Sequence, residues 1–404
     1  MRYRYRNKDA PSIRCIAACS KSALNLIVTA MICTPRCRQP FARAASRSPS
    51  GRALFLFRNQ VDTHATDPMF RARIEPVRLL AVLMLVTYHV VGDTAESGLQ
   101  IADTHPLRLV MSLLADLRMP LFACISGFLY ALKPVSPAAY PTFIRGKFRR
   151  LAVPATICIA GFLGASQVMG TKFMPQGPIW HAFVFPYAHF WFLQAIFLIF
   201  VFYCGFDILT RGRLLLVSLT VACAVYLLRL GFPSNVMSVN HALYLLPYFL
   251  TGIVMARHEE RAARWRPLVI LLSAAILALG VGWVLRDPGQ NTAMLASRHD
   301  LQSLMVGMSG AVLLLGIAPR VTWLNGFGSL AFTIYLYHIF GTSLARRALD
   351  AAGIDDLTVH ICAGLICGLA LPAALYLLAA QHNLLNFGLH GRLPTRPVRH
   401  KIST

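Results

Sequence analysis

The sequence predicts an all-α membrane protein with about ten transmembrane helices, and three observations predict it. Hydrophobic residues make up 56% of the chain and charged residues only 14%, whereas soluble domains are about 45–50% apolar and about 25% charged. The mean hydropathy is +0.56. At about 20 residues per crossing plus short loops, the 404 residues accommodate roughly ten spans. A disordered chain, a coiled coil and an ordinary soluble enzyme are excluded.

The first 68 residues differ from the rest, and we expect them to lie outside the membrane domain. They carry 12 Lys and Arg against 3 Asp and Glu, and their apolar pieces at 23–33 and 53–57 are too short to span a bilayer. A signal peptide is one interpretation, and a disordered basic tail is another. We favour a third, a mis-assigned start with Met69 as the true first residue, so that 1–68 is dispensable.

Long apolar runs, regularly interrupted by polar loops, begin at residue 70. They predict ten helices at about 74–92, 108–132, 152–170, 189–208, 213–230, 240–257, 267–285, 300–318, 327–345 and 359–380, with ends uncertain by a few residues. Proline lies mainly at the ends of these intervals, and no internal repeat is visible.

The distribution of basic residues predicts the orientation. With Met69 placed in the cytoplasm, 18 Lys and Arg flank the spans on the inside and 7 on the outside, and cytoplasmic loops normally collect these residues. We therefore expect both termini in the cytoplasm, a membrane domain at 69–385 and a basic cytoplasmic tail at 386–404. The net charge of +23 then reflects topology, and we expect no nucleic-acid partner.

Motifs of soluble enzymes are missing from the sequence. It contains no GxGxxG, P-loop, GxSxG or HExxH pattern, so the corresponding nucleotide-binding, hydrolase and zinc-protease templates do not apply. The ten cysteines suggest neither a disulfide framework nor a metal site. We expect no bound cofactor and no metal.

Ionisable residues inside membrane helices are costly, which makes them candidate functional residues. In the first helix, Glu75 and Arg78 are spaced i,i+3 and can pair on one face. Arg78 and His89 are eleven positions apart, which places them within about 20° on the helix and about 16 Å along its axis. A snorkelling arginine and a structural core histidine are the alternatives.

The second helix carries Arg118 near its middle and the small pair Ser126-Gly127. Arg118 needs a partner or water there, and Asp116 is one candidate. Gly127 allows close helix packing. Ser126 either hydrogen-bonds a ligand or bonds another helix.

A basic segment is expected as a cytoplasmic loop between the second and third helices. It can serve positive-inside topology, bind an acidic lipid surface, or hold a phosphate-bearing ligand, because arginine binds phosphate bidentately. Two phenylalanines lie among the charges and could cover an adenine ring. The segment runs Phe143, Arg145, Lys147, Phe148, Arg149, Arg150 and Pro154.

Two later helices add polar residues. His189 and Trp191 open the fourth helix; His189 could contact a polar acceptor, and Trp191 could be an interfacial belt residue. In the ninth helix Tyr335 and His338 are spaced i,i+3 and face one way. His338 should lie about as deep as His89.

Together these segments resemble the acyltransferase 3 family of integral-membrane O-acyltransferases. The resemblance covers about residues 70–380. It rests on Glu75-x-x-Arg78 with His89, on Met119-Pro-Leu-Phe-x-x-x-Ser-Gly-Phe-Leu129, on the Arg145-x-x-x-Arg149-Arg150 segment with Pro154, on His189-Phe-Trp-Phe-Leu193, and on Ser329 to His338. In the last segment Ala331-Phe332 stand where the family has Ser-Tyr, so only Tyr335 and His338 match.

The resemblance implies transfer of an acyl group, usually acetyl, from cytoplasmic acyl-CoA to a hydroxyl of a sugar, glycan or lipid-linked saccharide in the bacterial inner membrane. Arg78 and His89 match the family's essential pair, and the basic segment matches the motif thought to handle coenzyme A. The expected catalytic residues are His89, Arg78 and His338. The expected substrate-binding residues are Glu75, Arg118, Ser126, Arg145, Arg149, Arg150, His189, Trp191 and Tyr335.

The chemistry is consistent with these residues. Transfer from a thioester to an alcohol needs a base for the hydroxyl proton, for which histidine is well suited, and donors for the developing oxyanion. A multi-helix transporter or flippase for a polar or saccharide substrate is the main alternative, since buried arginine and histidine also suit a transport pathway. An accessory protein without chemistry is the third. The sequence leaves open the acceptor, the acyl group, the oligomeric state and whether an acyl-enzyme forms.

Overall fold

The computed structural model describes residues 68–392, apart from 93, 95, 103, 170–173, 176 and 287–298. The described residues form helices joined by short loops, with no strand among them. The predicted N-terminal tail, except Pro68, and residues 393–404 lie outside this description.

Ten long helices account for most of the described chain. They are α1 (Pro68–Val91), α2 (Pro106–Ala131), α3 (Tyr140–Met169), α4 (Trp191–Leu209), α5 (Leu215–Leu227), α6 (Val239–Arg257), α7 (Arg266–Arg286), α8 (Leu301–Ile317), α9 (Phe327–Ala351) and α10 (Leu357–Gln381). A short helix, α11 (Asn383–His390), follows. One helix falls in each of the ten predicted intervals, so the all-α class is confirmed for the described residues.

Seven of the described helices are long and apolar enough to cross a membrane, namely α1, α2, α3, α4, α6, α7 and α10. The apolar helices α5 and α8 are shorter, and α9 carries Arg346, Arg347 and Asp350 near its end. The number of crossings and the cytoplasmic position of the termini stay predictions.

The basic segment was expected in a loop, and that expectation is wrong. The third helix begins at Tyr140 instead of about 152, so Arg145, Arg149 and Arg150 lie on the first turns of α3. A 3₁₀ turn at Pro137–Ala139, capped by the Ser136 hydroxyl, starts it. Hydropathy underestimates the length of this helix because its first three turns carry charged residues. Lysine and arginine are nevertheless good helix formers.

Proline was expected mainly at helix ends, and this is also wrong. Five of the long helices contain an internal proline: Pro76, Pro120, Pro154, Pro247 and Pro372. Proline is tolerated inside membrane helices because neighbouring helices and local adjustments satisfy the freed carbonyl groups.

Helix α9 holds a central position, packed against α1, α3 and α10. The largest core cluster is rich in aromatic side chains from α3, α4, α6 and α9. Helices α2 and α6 cross closely because Gly127 and Gly252 lie at their contact: a Cβ at Gly127 would overlap the Phe249 carbonyl, and one at Gly252 the Cys124 carbonyl. The packing role expected for Gly127 is confirmed.

Candidate functional site

Three histidines from three separate parts of the chain meet in the interior. The ring centroid of His89 on α1 lies 4.7 Å from that of His338 on α9 and 5.8 Å from that of His189. The His189 and His338 centroids are 5.2 Å apart. His189 is 6% exposed and His338 is fully buried. The expectation that His338 reaches the depth of His89 is confirmed.

Backbone carbonyl groups fix the neutral tautomer of each ring. A carbonyl oxygen only accepts, so the ring nitrogen facing it carries the hydrogen. His89 Nδ1–H donates to Leu85 O at 2.9 Å, His338 Nδ1–H is shared by Ile334 O and Tyr335 O at 2.9 Å each, and His189 Nε2–H donates to Leu336 O at 3.2 Å. The remaining nitrogens, His89 Nε2, His338 Nε2 and His189 Nδ1, keep their lone pairs.

Two of these lone pairs are buried without a partner. His338 Nε2 and His189 Nδ1 have no hydrogen-bond partner among the described residues. The described part of the chain contains no group of three or more His, Cys, Asp or Glu side chains arranged to hold a metal ion. The cluster therefore presents neutral imidazoles as potential proton acceptors.

A cavity of about 570 Å³ opens beside this cluster; we call it the histidine cavity. Arg118, Trp191 and Tyr335, all predicted site residues, line it together with His89 and His189.

Two of these lining side chains contact aromatic rings. The Arg118 guanidinium lies over the Tyr88 ring, 3.6 Å from its centroid, and the Trp191 ring packs against the His241 ring with 4.6 Å between centroids. The cavity walls also include Asp116, Phe162 and Ser166, so both aromatic and polar side chains line the histidine cavity.

His189 lies just before the fourth helix and is buried. Helix α4 begins at Trp191, and the residues before it turn into the bundle, with Ala188 at φ 43°. The Tyr335 hydroxyl donates to the His189 carbonyl. His189 therefore belongs to the buried histidine cluster.

A second cavity, of about 1470 Å³, is lined by basic residues; we call it the basic cavity. Arg149 and Arg150 line it, together with Lys133 and Lys147. Arg145 is exposed and is not among its lining residues. The two phenylalanines also separate, since Phe143 lines the cavity whereas Phe148 is 53% exposed.

The chain's C-terminal part completes the wall of the basic cavity; sequence reasoning missed it. We call residues 383–392, which comprise α11, Gly391 and Arg392, the C-terminal strap. Arg149 Nε donates to Gly391 O at 2.8 Å, and the Arg392 guanidinium donates to the Ser329 hydroxyl. Ser329, His390 and Arg392 all line the cavity. The strap crosses the expected boundary at 385/386.

His390 anchors the strap to α9. Its Nε2–H donates to the Thr333 hydroxyl at 2.9 Å, and that hydroxyl donates to the Ser329 carbonyl. Its Nδ1 lies 3.1 Å from the Asn386 side-chain amide. Burial, together with the nearby Arg392, lowers the pKa of His390 to about 4. The ring is therefore neutral at neutral pH.

An ion pair on a buried carboxylate stabilises the same end of the bundle. Arg257 forms a bidentate pair with Asp207, with N–O distances of 2.8 and 2.6 Å. The Tyr130 hydroxyl, on a side chain that lines the basic cavity, donates to Asp207 at 2.9 Å. Pairing of this kind is the usual condition for a buried carboxylate.

Helix α9 connects the two cavities. Gly328, Ser329 and Phe332 line the basic cavity, and Tyr335 lines the histidine cavity. Because three residues of α-helix rise about 4.5 Å, a single turn separates the two sets of lining residues. A molecule bound in one cavity can therefore lie close to a molecule bound in the other.

Besides the three arginines of the basic segment, three predicted site residues lie away from the histidine cluster. Arg78 pairs with Glu75 at 2.5 Å, as the i,i+3 spacing predicted, and its guanidinium packs beside Gly328 at the basic cavity. Ser126 donates to the Phe122 carbonyl of its own helix at 2.8 Å and lines neither cavity. The structure thus brings His89, His338, His189, Arg118, Trp191 and Tyr335 together.

The family model described as an acyltransferase domain, the acyltransferase 3 family, matches residues 71–377 of this chain. The chain belongs to the acyltransferase 3 family. All three histidines and the residues that line the two cavities lie within the matched range, except His390 and Arg392 of the C-terminal strap. No curated protein and no solved structure matches the chain. Membership identifies a multi-helix membrane acyltransferase and favours this activity over the transporter alternative.

Proposed function

We propose that this protein transfers an acyl group from acyl-CoA, bound in the basic cavity, to a saccharide hydroxyl in the histidine cavity. The observation that carries the proposal is His89: its Nδ1–H is held by a carbonyl, and its side chain lines the histidine cavity. A neutral imidazole oriented in this way is a ready general base. Family membership supports the reaction class.

The basic cavity suits the donor. Coenzyme A carries several phosphate charges, and arginine is the preferred residue for binding phosphate in two contacts. Arg150 and Arg392 line the cavity with Lys133, and the Phe143 and Tyr130 rings offer faces for an adenine. The thioester end would reach toward Phe332, one helical turn from Tyr335.

The histidine cavity suits a saccharide. Ligand sites combine apolar walls with a few placed polar groups. Here Tyr88, Trp191 and Phe162 provide aromatic faces, and Asp116 and Ser166 provide polar groups. Hydroxyl groups can bond to the polar set while C–H faces of the sugar pack on the rings.

The proposed reaction is a direct transfer. The acceptor hydroxyl oxygen attacks the thioester carbonyl carbon while its proton passes to His89 Nε2. The C–O ester bond forms, the C–S bond breaks, and the leaving thiolate takes the proton as coenzyme A. Arg118, a cation that lines the cavity, is placed to stabilise the developing oxyanion.

His338 would then stabilise the protonated state of His89. When His89 gains a proton on Nε2, it acquires a second N–H donor. The unpartnered Nε2 of His338 belongs to the adjacent ring, at 4.7 Å between centroids, and an acceptor there favours the charged intermediate. We assign His338 as a positioning and proton-accepting partner and His89 as the base.

Acyl transfer by the reconstituted protein tests the proposal. We expect radiolabelled acetyl-CoA to acylate saccharide acceptors, with His89→Gln slower by about 10²–10⁴-fold, the usual contribution of a general base. Glutamine keeps hydrogen bonding but cannot take the proton. Ser126→Ala is the matched control and should keep the wild-type rate, because the Ser126 hydroxyl donates to a carbonyl of its own helix and its side chain lines neither cavity. Retention of most activity by His89→Gln would assign His89 an orienting role.

A further inference from the structure

The mouth of the histidine cavity is cationic, which the acyl-transfer chemistry does not require. Arg346 and Arg347, near the end of α9, line the cavity together with Ser97, Gly98 and His360. Both belong to the minority of basic residues on the side where the positive-inside rule disfavours them. The positive-inside rule therefore does not explain two adjacent arginines in that position.

The two arginines are held differently. Arg346 donates to the Gly98 carbonyl at 2.6 Å, so part of its guanidinium fixes the loop that forms one side of the mouth. Arg347 is exposed and lines the cavity, and it makes no hydrogen bond or ion pair with any described residue. None of its five N–H donors is used by a described residue.

Among the described residues, Glu96 and Asp350 are acidic side chains near this mouth along the chain, and neither lines the cavity. Asp350 is on the same helix, but its side chain is 59% exposed and lies 3.9 Å from His360 Nε2; it does not line the cavity. His360 Nε2–H is directed to the Ile354 carbonyl at 2.6 Å. Asp116 also lines the cavity and lies on α2, two residues before Arg118. The described lining of the mouth therefore carries more positive than negative charge.

Arg346 and Arg347 lie at a distance from the reacting groups. Arg346 and Tyr335 are eleven residues apart on α9, which gives about 16 Å along the axis and an offset of about 20° around it. A ligand that reaches both ends of the cavity would present its reacting hydroxyl to His89 and a second group to the arginines. Binding energy from such a remote group is commonly used to position the reacting one.

We propose that Arg346 and Arg347 form an anion-binding subsite, and that the acceptor is an acidic saccharide carrying a phosphate or carboxylate group away from the acylated hydroxyl. The identity of the ligand as the acceptor rests on the proposed function, whereas the anion-binding property does not. A phosphate on a lipid headgroup has the same chemistry and is the competing source.

Binding to the protein in phosphatidylcholine nanodiscs tests the subsite. Glucose 1-phosphate and glucose are compared by calorimetry with excess coenzyme A present to fill the basic cavity. We expect glucose 1-phosphate to bind at least about tenfold more tightly than glucose. Arg347→Gln should reduce this preference to within about threefold, while Arg286→Gln should retain it. Arg286 is an exposed arginine at the end of α7 that lines neither cavity.

The other outcomes are distinguishable. Equal binding of the two sugars, or a preference unchanged in Arg347→Gln, overturns the subsite. If phosphatidylglycerol in the nanodisc displaces glucose 1-phosphate, lipid headgroups occupy the site and the acceptor assignment is wrong. Acetyl transfer from acetyl-CoA to methyl glucoside is measured on the same nanodisc preparations without added coenzyme A. Methyl glucoside can lie beside His89 without reaching the arginines. Transfer to it without the binding preference therefore removes the subsite and leaves the proposed function, whereas the preference without this transfer supports the subsite and counts against the proposed function.

Discussion

The three arginines of the basic segment have different surroundings although they lie on the same turns of α3. Arg149 donates to the Gly391 carbonyl, so its removal would disturb the C-terminal strap. Arg150 is exposed and lines the basic cavity, whereas Arg145 is exposed and does not. Arg150 and Arg145 thus form a matched pair for testing the donor site.

We expect Arg150→Gln to raise the KM for acetyl-CoA by about three- to tenfold with little change in kcat, because a charge-assisted phosphate contact is lost. Arg145→Gln should leave the KM within about twofold, since its charge lies outside the cavity. Steady-state kinetics on the purified variants measures both. Equal KM values in the two variants would indicate that the basic segment serves membrane topology and does not bind the donor.

The positions of single residues show which structural relations the sequence could predict. The 3.6-residue repeat placed Glu75 beside Arg78 and Tyr335 on the face of His338, because both are local relations. The burial of His189 was not predictable, since it depends on the chain before α4 turning inward at Ala188. Likewise, the distance of Ser126 from both cavities depends on how α2 rotates against its neighbours.

At the scale of helices, the crossing of α2 and α6 supports one wall of the histidine cavity. The backbones approach at Gly127 and Gly252 with no room for a Cβ. Arg118 and Met119, on the same helix as Gly127, line that cavity. Helix separation at this point would therefore move the wall of the cavity.

Gly127→Ala should destabilise the protein by about 1–3 kcal/mol, the usual effect of overpacking a close contact. The added methyl group meets the Phe249 carbonyl, which is backbone and cannot rotate away. Gly164→Ala on α3 is the control, because a Cβ there meets nothing within 4 Å. Thermal melting in one detergent compares them, and a shared melting temperature would contradict the packing role of Gly127.

The C-terminal strap should respond to pH. His390 has its pKa lowered to about 4 from an ordinary value of about 6.5, so the docked strap favours the neutral ring. Docking is therefore fully stable above about pH 6.5 and weakens as the pH falls toward 4. Hydrogen exchange of residues 383–392, corrected for the intrinsic rate, should rise over this range.

His390→Gln supplies the control for the strap. Glutamine cannot titrate, so its exchange should be independent of pH over the same window, whatever its absolute level. An unchanged pH response in His390→Gln would assign the effect to another group. The sequence did not predict this element, because its contacts with Thr333 and Arg149 connect residues 57 and 242 positions apart, which no local pattern reports.

For the whole molecule, the two cavities open toward different ends of α9. Phe332 and Ser329 at its beginning line the basic cavity, and Arg346 near its end lines the mouth of the histidine cavity. The positive-inside distribution predicts that the beginning of α9 faces the cytoplasm. The donor and the acceptor would then enter from opposite faces of the membrane.

This arrangement predicts sidedness of the reaction. Acetyl-CoA carries phosphate charges and does not cross a sealed bilayer, since ions are strongly disfavoured in hydrocarbon. We expect acetyl-CoA added to sealed inside-out vesicles, whose outer surface is the cytoplasmic face, to support acyl transfer, and the same addition to sealed right-side-out vesicles to support almost none. Opening both preparations with detergent should equalise their rates and so control for protein content. Full activity in sealed right-side-out vesicles would place the basic cavity on the opposite face and reverse the predicted orientation, because the donor reaches His89 only through the cavity that binds it.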